Sequence, residues 1–247
     1  MRTFGLIGYP LSHSFSKKFF TEKFEQEGII AHRYELFPME KVNALTELIA
    51  ADHSLRGLNV TIPHKVNVMT FLDELDDAAQ QIGAVNCIDI QQKNGKTWLK
   101  GYNTDAYGFE ESIKPYLKNH HTHALILGDG GAAKAVKYVL DKLNITYLSV
   151  VRTAAGDGIL YKDLTEELIM KHQVIINTTP LGTFPAVTEA PDLPYQWITD
   201  QHLAYDLVYN PEETEFLKRA KLQGAAVKNG FEMLQLQAER SWFIWNS

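Results

Sequence analysis

The sequence predicts an α/β protein of two domains, the second of them doubly wound. Short apolar runs alternate along the chain with longer segments of helical periodicity, a pattern typical of mostly parallel sheets covered by helices on both faces. A glycine-rich turn near residue 128 follows an apolar run and opens a helical segment. The two patterns meet in residues 111–123, where a proline and three histidines interrupt the periodicity.

In the first half of the chain, strands and helices are predicted to alternate. Strands are expected over residues 3–10, 33–38 and 55–63, and helices over residues 15–28, 39–52, 65–75 and 76–83. Residues 84–103 predict a hairpin, because Asn94-Gly95 between two extended runs is a strong signal for a type I′ turn.

The second half repeats the alternation in a more compact form. A strand, a glycine turn and a helix are expected over residues 123–143. Further strands are expected over residues 146–151, 174–180 and 203–209, and helices over residues 164–173 and 213–224. The last segment, residues 230–246, is amphipathic and rich in aromatic residues. Its end, WFIWN at residues 242–246, is expected to pack as a helix or tail, with a dimer contact as the alternative.

Composition excludes several classes of protein. The 247 residues are 45% hydrophobic and 22% charged, as in ordinary globular domains. A net charge of −6 without a basic tract makes nucleic acid an unfavourable partner. Cys87, the single cysteine, suits a reducing compartment and is expected to be buried. No apolar run approaches the length of a membrane span, and a strand-like run begins almost at Met1, so we expect a cytoplasmic protein.

The segment GDGGAAKA, residues 128–135, predicts a nucleotide site. Glycines let the backbone approach a pyrophosphate, and the N-terminus of the following helix supplies N–H donors. The expected contacts are Gly128, Asp129, Gly130, Gly131 and Ala132. The spacing is Gly-x-Gly-Gly rather than the full fingerprint, so a structural turn is the alternative. The Asp129 carboxylate should point away from a phosphate.

The end of the next predicted strand discriminates between cofactors. NAD-binding units usually carry an acid there, about twenty residues past the glycine turn, which holds the ribose 2′-hydroxyl. Here Arg152 and Thr153 occupy that place, and an arginine can pair with a 2′-phosphate. We therefore expect NADP, with a surface arginine at a strand end as the alternative.

Four polar clusters interrupt the apolar patterns of the first half: GYPLSHSFS, NVTIPHK, GAVNC and GYNTDAYG. Each has a structural interpretation, because serines and aspartates cap helices and asparagines satisfy turns. Three of the four lie at the C-terminal end of a predicted strand. The outside of the carboxyl ends of strands is where open parallel sheets bind ligands, so the clusters together predict a site.

These clusters, with GDGGAAKA, NTTPLG, YDLVYNPEETEFL and NGFEMLQLQA, occur in one order from residue 8 to residue 238. In this the chain resembles the shikimate dehydrogenase family. The resemblance implies an N-terminal α/β substrate domain, residues 1–105 completed by helices at 230–247, and a Rossmann-type NADP-binding domain at 106–229. It places the active site in the cleft between them. The implied reaction is reversible reduction of 3-dehydroshikimate to shikimate by NADPH, in chorismate and aromatic amino-acid biosynthesis.

The resemblance also implies roles for individual residues. Lys65 and Asp105 match the catalytic pair of the family. The positions that match its substrate-binding residues are Ser14, Ser16, Thr61, Asn86, Tyr209 and Gln237. On the cofactor side, Thr178 lies in NTTPLG, and Gly230 matches a glycine near the nicotinamide.

The chain departs from the family pattern at three places. Lys17 replaces a common proline, Val151 precedes Arg152 where an asparagine is usual, and residues 154–158 supply no second basic residue. The last two bear on the strength of the NADP preference. The alternatives are an NAD-linked quinate/shikimate dehydrogenase, a non-catalytic sensor of pathway metabolites and an S-adenosylmethionine-dependent methyltransferase. The oligomeric state is expected to be a monomer or a homodimer.

The histidines of HHTH, His120, His121 and His123, lack the spacing of a structural zinc site. We expect no metal there, and a solvated linker.

Overall fold

A computed structural model describes residues 1–11, 14–93, 95–153 and 158–247. Within these ranges the chain divides into two compact units, residues 1–104 with 237–247 and residues 105–236. Each unit is built on a six-stranded sheet, counted over the described residues.

The sheet of the first unit is mixed. Its strands, in the part of the chain that the structure describes, are β1 (Arg2–Gly8), β2 (His32–Pro38), β3 (Leu55–Val60), β4 (Glu74–Leu75), β5 (Cys87–Lys93) and β6 (Lys96–Tyr102), in the order β2-β1-β3-β5-β6-β4. β1 pairs in parallel with β2 and β3, whereas β5 runs antiparallel to β3 and β6. The predicted hairpin is therefore present as β5 and β6, although Asn94 of its turn lies outside the described residues.

Three helices of this unit, α1 (Phe15–Gln26), α2 (Ala44–Ala51) and α3 (Asp77–Ile82), match predicted helices. The helix predicted over residues 65–75 is wrong: a short 3₁₀ turn, Asn67–Phe71, precedes β4. Asp73 explains the difference, because its N–H donates to the Leu99 carbonyl at 2.9 Å and its carboxylate accepts from the Leu99 N–H at 2.8 Å. Pairing with β6 overrides a weak helical pattern that contains β-branched residues.

The sheet of the second unit is entirely parallel. Its strands, over the described residues, are β7 (His123–Leu127), β8 (Thr146–Val151), β9 (Ile159–Leu160), β10 (Val174–Asn177), β11 (Leu203–Asp206) and β12 (Ala226–Lys228), in the order β12-β11-β10-β7-β8-β9. The chain runs outward in one direction from β7 to β9 and in the other from β10 to β12. The doubly wound prediction is confirmed, and the switch point lies between β7 and β10.

The remaining helices are α4 (Thr104–Ile113), α5 (Gly131–Lys142), α6 (Glu166–Lys171), α7 (Glu215–Leu222) and α8 (Phe231–Trp245). The core of the second unit gathers apolar residues from its strands and from α6 and α7 on one side of the sheet. The sequence did not predict β9 and β12, because strands of two and three residues carry no periodic signal.

The end of α8 completes the core of the first unit. The Trp245 ring stacks on Phe4 with centroids 4.9 Å apart, and Trp242 contacts Phe24 at 5.3 Å. The Trp245 indole N–H donates to the Ile88 carbonyl at 3.0 Å. Gly57 of β3 lies against this indole, so close that any Cβ at residue 57 would overlap the ring. The aromatic C-terminus is therefore part of the hydrophobic core.

A buried carboxylate organises the second unit at the ends of its central strands. Asp206, fully buried, accepts hydrogen bonds from the Asn177 amide at 2.9 Å, the Val208 N–H at 2.9 Å and the Thr214 hydroxyl at 2.6 Å. The Asn177 carbonyl oxygen in turn accepts from the N–H and hydroxyl of Thr179. Asp206 thereby fixes the segment that follows β10. Burial raises the pKa of Asp206 to about 6 despite these three donors.

We predict that Gly57→Ala lowers the free energy of unfolding by about 1–3 kcal/mol, because the added methyl group forces the Trp245 ring from its place. Urea unfolding followed by tryptophan fluorescence measures the change.

A double-mutant cycle with Trp245→Phe is the control. The smaller ring leaves room for the methyl group, so the cost of Gly57→Ala should fall in that background. An equal cost in both backgrounds would contradict the proposed clash with Trp245.

We predict that the stability contribution of Asp206 depends on pH. Its folded pKa of about 6 lies above the unfolded value of about 3.9. The contribution is therefore fully present below pH 4 and lost as the pH rises through about 6. Relative to Asp206→Asn, which cannot titrate, the wild type should lose about 2 kcal/mol between pH 4.5 and 7.5. Urea unfolding of both proteins across this range measures the difference.

Asp200→Asn, at an exposed carboxylate of the same unit, is the matched control and should show a constant difference from wild type. A constant difference for Asp206→Asn as well would show that its carboxyl does not titrate in this window.

Candidate active site

In the first unit, predicted substrate residues lie beside the carboxyl ends of β1 and β3. The hydrogen bonding between β1 and β3 extends one residue beyond the end of β3, because the Thr61 N–H donates to the Ile7 carbonyl at 2.9 Å. The Ser14 hydroxyl caps α1 by accepting from the Lys17 N–H at 3.3 Å, and Ser16 hydrogen-bonds to Tyr34. Ser14, Ser16 and Thr61 are each half-buried, which leaves part of each side chain accessible to a ligand.

The loop that carries Lys65 is anchored by buried residues on both sides. His64 is buried, and its Nε2 lies 2.6 Å from the Met39 carbonyl, while its N–H donates to the Thr61 carbonyl at 3.0 Å. The Lys65 carbonyl accepts from the Val85 N–H at 2.7 Å. The backbone of Lys65 is thus tied to the segment that leads into Asn86, and its side chain is half-buried.

Asn86 is the centre of a buried hydrogen-bond network. Its side-chain oxygen accepts from the Thr104 N–H at 2.6 Å, and its amide donates to the Thr104 hydroxyl at 3.0 Å and approaches the Gln237 side-chain oxygen at 3.5 Å. The structure therefore brings together two predicted substrate residues, Asn86 and Gln237, that are 151 positions apart in the chain.

The same network contains residues that the sequence did not identify as part of the site. Ser241 lies 3.3 Å from the Thr104 hydroxyl and accepts from the Asn59 amide at 2.9 Å. Asn59 in turn accepts from the Tyr34 hydroxyl at 2.8 Å. Asn59 and Thr104 occur inside NVTIPHK and GYNTDAYG, so the motifs held a signal for them. Ser241 and Tyr34 lie in segments whose sequences predict a helix and a strand but give no sign of a binding site.

Three further predicted residues belong to the second unit. Asp105 follows Thr104 at the start of α4 and is half-buried. Tyr209 is 38% exposed, and partial burial raises its pKa. Gly230 donates its N–H to the Val208 carbonyl at 3.2 Å, and a Cβ there would collide with the backbone of Leu207. Close packing alone therefore requires a glycine at position 230.

The second unit has a cavity of about 300 Å³ at the switch point of its sheet. Predicted cofactor residues line it, together with residues that the sequence analysis did not predict. The lining is Gly128, Asp129, Gly130, Val150, Val151, Arg152, Thr153, Tyr161, Thr178, Thr179, Pro180 and Leu181. Predicted residues Gly131 and Ala132 form the first turn of α5 just beyond it.

The glycine turn has the geometry that an anion site needs. Gly128 has φ of +99°, a conformation that side chains rarely adopt, and its N–H donates to the Val150 carbonyl at 2.8 Å. Gly130 caps α5, and a Cβ at Gly130 or Gly131 would meet nothing within 4 Å. The first turn of α5 therefore presents its N–H groups beside open space.

The carboxylate of Asp129 has a partner of opposite charge, although Asp129 lines the cavity. It forms a salt bridge with Lys137 on α5, two turns further along the helix. This pairing compensates the negative charge at the mouth of the glycine turn. Arg152, exposed at the end of β8, brings a positive charge to the same lining.

The histidines near residue 120 were predicted to lie in a solvated linker, and the structure differs for one of them. His121 is buried, accepts from the Lys118 N–H at Nδ1 and lies 3.1 Å from the Gln201 carbonyl through Nε2, so the prediction of a solvated linker is wrong for this residue. Burial lowers its pKa. His123 belongs to β7 and packs edge-on against His172. Among the described residues, no group of three metal-binding side chains occurs.

Two further sequence observations concern burial and membranes. Cys87 is fully buried, as expected, and burial raises the pKa of its thiol. Over the described ranges, no helix has the length and apolar character that crossing a bilayer requires.

Comparison with known proteins gives a consistent result. The family model for the shikimate dehydrogenase substrate binding domain matches residues 6–88. A shikimate dehydrogenase (NADP(+)) of Clostridium beijerinckii is 40% identical over 256 residues, which cover 99% of this chain and 92% of the relative.

Solved structures agree along the whole chain. A chorismate mutase/shikimate 5-dehydrogenase fusion protein from Clostridium acetobutylicum matches with a TM-score of 0.87 and 35% identity, over 100% of this chain and 91% of its own. Shikimate 5-dehydrogenase from Thermus thermophilus, in complex with NADP(H) and shikimate, matches with a TM-score of 0.84 and 30% identity, over 99% and 93%. The chain belongs to the shikimate dehydrogenase family.

Proposed function

We propose that this chain catalyses the reversible, NADP-dependent reduction of 3-dehydroshikimate to shikimate, a step in the biosynthesis of chorismate and the aromatic amino acids. One observation carries the proposal. A unit that matches the family's substrate-binding domain bears Lys65 beside a buried polar network, and the same chain has a cavity at a glycine turn with Arg152 in its lining. The extent of the substrate domain, residues 1–105 with 230–247, and of the NADP domain, residues 106–229, is part of this proposal.

The residues around the cavity fit a dinucleotide phosphate. Gly130 and Gly131 leave open space at the N-terminus of α5, where backbone N–H groups and the helix dipole favour an anion. Thr178 holds its position by donating its hydroxyl to the Leu127 carbonyl at 2.8 Å, and its side chain lines the cavity. Arg152 supplies the cation for a 2′-phosphate.

When bound, NADPH supplies the hydride that reduces the ring ketone. The protein's part is to place a proton donor at the ketone oxygen as negative charge develops there. We assign this role to Lys65, whose ammonium group is a point donor on a flexible stem. We assign Asp105 to accept a hydrogen bond from a ring hydroxyl, which orients the substrate. In the reverse direction Lys65 accepts the proton from the alcohol.

The remaining substrate contacts are those that the resemblance to the family implies, and the chemistry of each side chain suits them. Shikimate carries one carboxylate and three ring hydroxyls. Ser14 and Ser16 are neutral hydroxyl donors to the carboxylate, and Thr61, Asn86 and Gln237 hold the ring hydroxyls. We also assign Tyr209 a contact with the substrate, as the resemblance implies. The network through Thr104 and Ser241 keeps Asn86 and Gln237 in fixed rotamers before substrate arrives.

Arg152 argues against the NAD-linked alternative. NAD-binding units use a carboxylate at the end of the second strand to hold the ribose 2′-hydroxyl. The acid among the described lining residues is Asp129, which belongs to the glycine turn and pairs with Lys137. The described lining therefore has no carboxylate at the end of β8 for this hydroxyl. Retention of both Lys65 and Asp105 argues against a non-catalytic sensor. A monomeric or homodimeric state and a cytoplasmic location remain predictions from the sequence.

Initial rates followed at the NADPH absorbance band test the proposal directly, with shikimate or quinate offered together with NADP or NAD. We expect turnover of shikimate with NADP. Turnover chiefly with quinate or with NAD would shift the substrate or cofactor assignment. If the ligands bind but no pair of substrate and cofactor is turned over, the protein is a sensor and not an enzyme.

We predict that Lys65→Ala lowers kcat at least about 100-fold, because loss of a positioned proton donor typically costs about 10²- to 10⁴-fold. The Kd for NADP, measured by fluorescence titration, should remain nearly unchanged. Lys96→Ala, at an exposed lysine of the same unit, is the matched control and should keep full activity. An unchanged kcat for Lys65→Ala would show that Lys65 has no catalytic role.

We predict that Arg152→Ala raises the KM for NADP about 10- to 100-fold and changes the KM for NAD far less, because NAD lacks the phosphate with which the guanidinium pairs. Arg219→Ala removes an exposed arginine that pairs with Glu215 at 2.8 Å in the same unit, and it should leave both constants unchanged. Equal effects of Arg152→Ala on the two cofactors would contradict the assignment of Arg152.

A further inference from the structure

One side chain in the lining of the cavity has no role in the function proposed above. Tyr161 is the first residue of the 3₁₀ turn Tyr161–Asp163, which follows β9 directly. It packs against the core of the second unit and lines the cavity together with Arg152 and Thr153.

The Tyr161 hydroxyl is buried and has no hydrogen-bond partner among the described residues. Three other buried or partly buried tyrosines have partners for their hydroxyls: Tyr34 donates to Asn59 at 2.8 Å, Tyr195 donates to the Pro191 carbonyl at 3.0 Å, and Tyr205 pairs with Ser112 at 2.7 Å. A buried polar group without a partner is costly and needs an explanation. At the edge of a ligand cavity, the explanation is a bond that forms with the ligand.

The register of β8 and β9 places Tyr161 beside Arg152. Val151 pairs with Leu160 in the parallel ladder, so the next residue on each strand is Arg152 and Tyr161 respectively. The connection between these strands is only residues 152–158, whereas a parallel crossover usually takes about a dozen residues or more. The ladder places the turn of Tyr161 at the end of β8, where the adenosine end of a dinucleotide binds in this architecture.

The local charges make this hydroxyl a donor to an anion. Burial raises the pKa of Tyr161 to about 12, while the positive charge of Arg152 acts in the opposite direction. The hydroxyl therefore keeps its proton at neutral pH. Asp192 lies near enough to raise the pKa slightly further, but it is exposed to solvent. A neutral O–H donor next to a guanidinium suits a phosphate.

We infer that the Tyr161 hydroxyl is a second donor, beside Arg152, to the 2′-phosphate on the adenosine ribose of NADP. The inference rests on the proposed function. It assigns to Tyr161 the place left open by Val151 and by the absence of a second basic residue in residues 153–158.

Tyr161→Phe tests the inference, because it removes one oxygen atom and keeps the ring that packs in the core. Calorimetric titration without shikimate should show the Kd for NADP rising about tenfold, as expected for loss of a hydrogen bond to a charged group. The Kd for NAD should stay within about twofold. Adenosine 2′,5′-bisphosphate, which retains the 2′-phosphate and lacks the nicotinamide half, should lose affinity by the same factor as NADP.

Thermal unfolding of the ligand-free protein gives an independent readout. Removal of an unpaired buried hydroxyl should leave the Tm of Tyr161→Phe unchanged or raise it. Tyr195→Phe is the matched control. Its hydroxyl is already bonded to Pro191, and Tyr195 does not line the cavity, so this change should lower Tm and leave the selectivity for NADP unchanged.

These experiments can fail for the role of Tyr161 without failing for NADP as the cofactor. An unchanged Kd for NADP, or an equal loss of NADP and NAD affinity, would overturn the role of Tyr161 while Arg152→Ala could still discriminate between the cofactors. Failure of the wild-type protein to prefer NADP would overturn the cofactor assignment itself. A lowered Tm for Tyr161→Phe would show that the hydroxyl has a partner within the folded chain, which also overturns the inference.

Discussion

The buried side chain of Asn86 is the constraint on which the candidate substrate site depends. An amide carries two donors and an acceptor, and leaving them unpaired away from water costs more than a single hydrogen bond contributes. Thr104 satisfies the oxygen and Gln237 lies within reach of the nitrogen, so the start of α4 and the second half of α8 must be in place around Asn86. The hydrogen bond between the Lys65 carbonyl and the Val85 N–H then couples Lys65 to the same arrangement.

A similar constraint shapes the cofactor side. Asp206, buried beside the end of β10, is satisfied by Asn177, Thr214 and the backbone of Val208. This cluster costs solvation free energy, as the raised pKa of Asp206 indicates. This cluster stabilises the backbone of the segment after β10, in which residues 178–181 line the cavity. In both units, a buried and hydrogen-bonded polar side chain fixes the backbone or the side chains of neighbouring predicted site residues.

Much of this could be predicted from the sequence because the relevant signals are local. The doubly wound order, the hairpin and the glycine turn each depend on periodicity or on turn residues within a short window. The helix predicted over residues 65–75 failed because Asp73 pairs with Leu99, a contact that no local pattern reveals.

The networks under the sites were missed for the same reason. Asn59 and Ser241 lie 182 residues apart in the chain, and only the folded structure places their side chains 2.9 Å from each other. The orphaned hydroxyl of Tyr161 is likewise a property of packing, since the sequence shows a tyrosine but not what surrounds it.

On the proposed function, the balance of charge around the cavity favours one dinucleotide over the other. The glycine turn carries a carboxylate at Asp129, which by itself would repel every phosphate of a dinucleotide. Lys137 on α5 neutralises it through a salt bridge, and because both groups are partly exposed the pair contributes little stability. Its effect is to leave Arg152 as the net charge of the lining. A cavity with a net positive charge at the end of β8 gains more from a ribose that carries a phosphate than from one that carries a hydroxyl. On the proposed function, cofactor preference therefore depends on residues acting together: Arg152 attracts the phosphate with the Tyr161 hydroxyl beside it, and Lys137 cancels the competing acid.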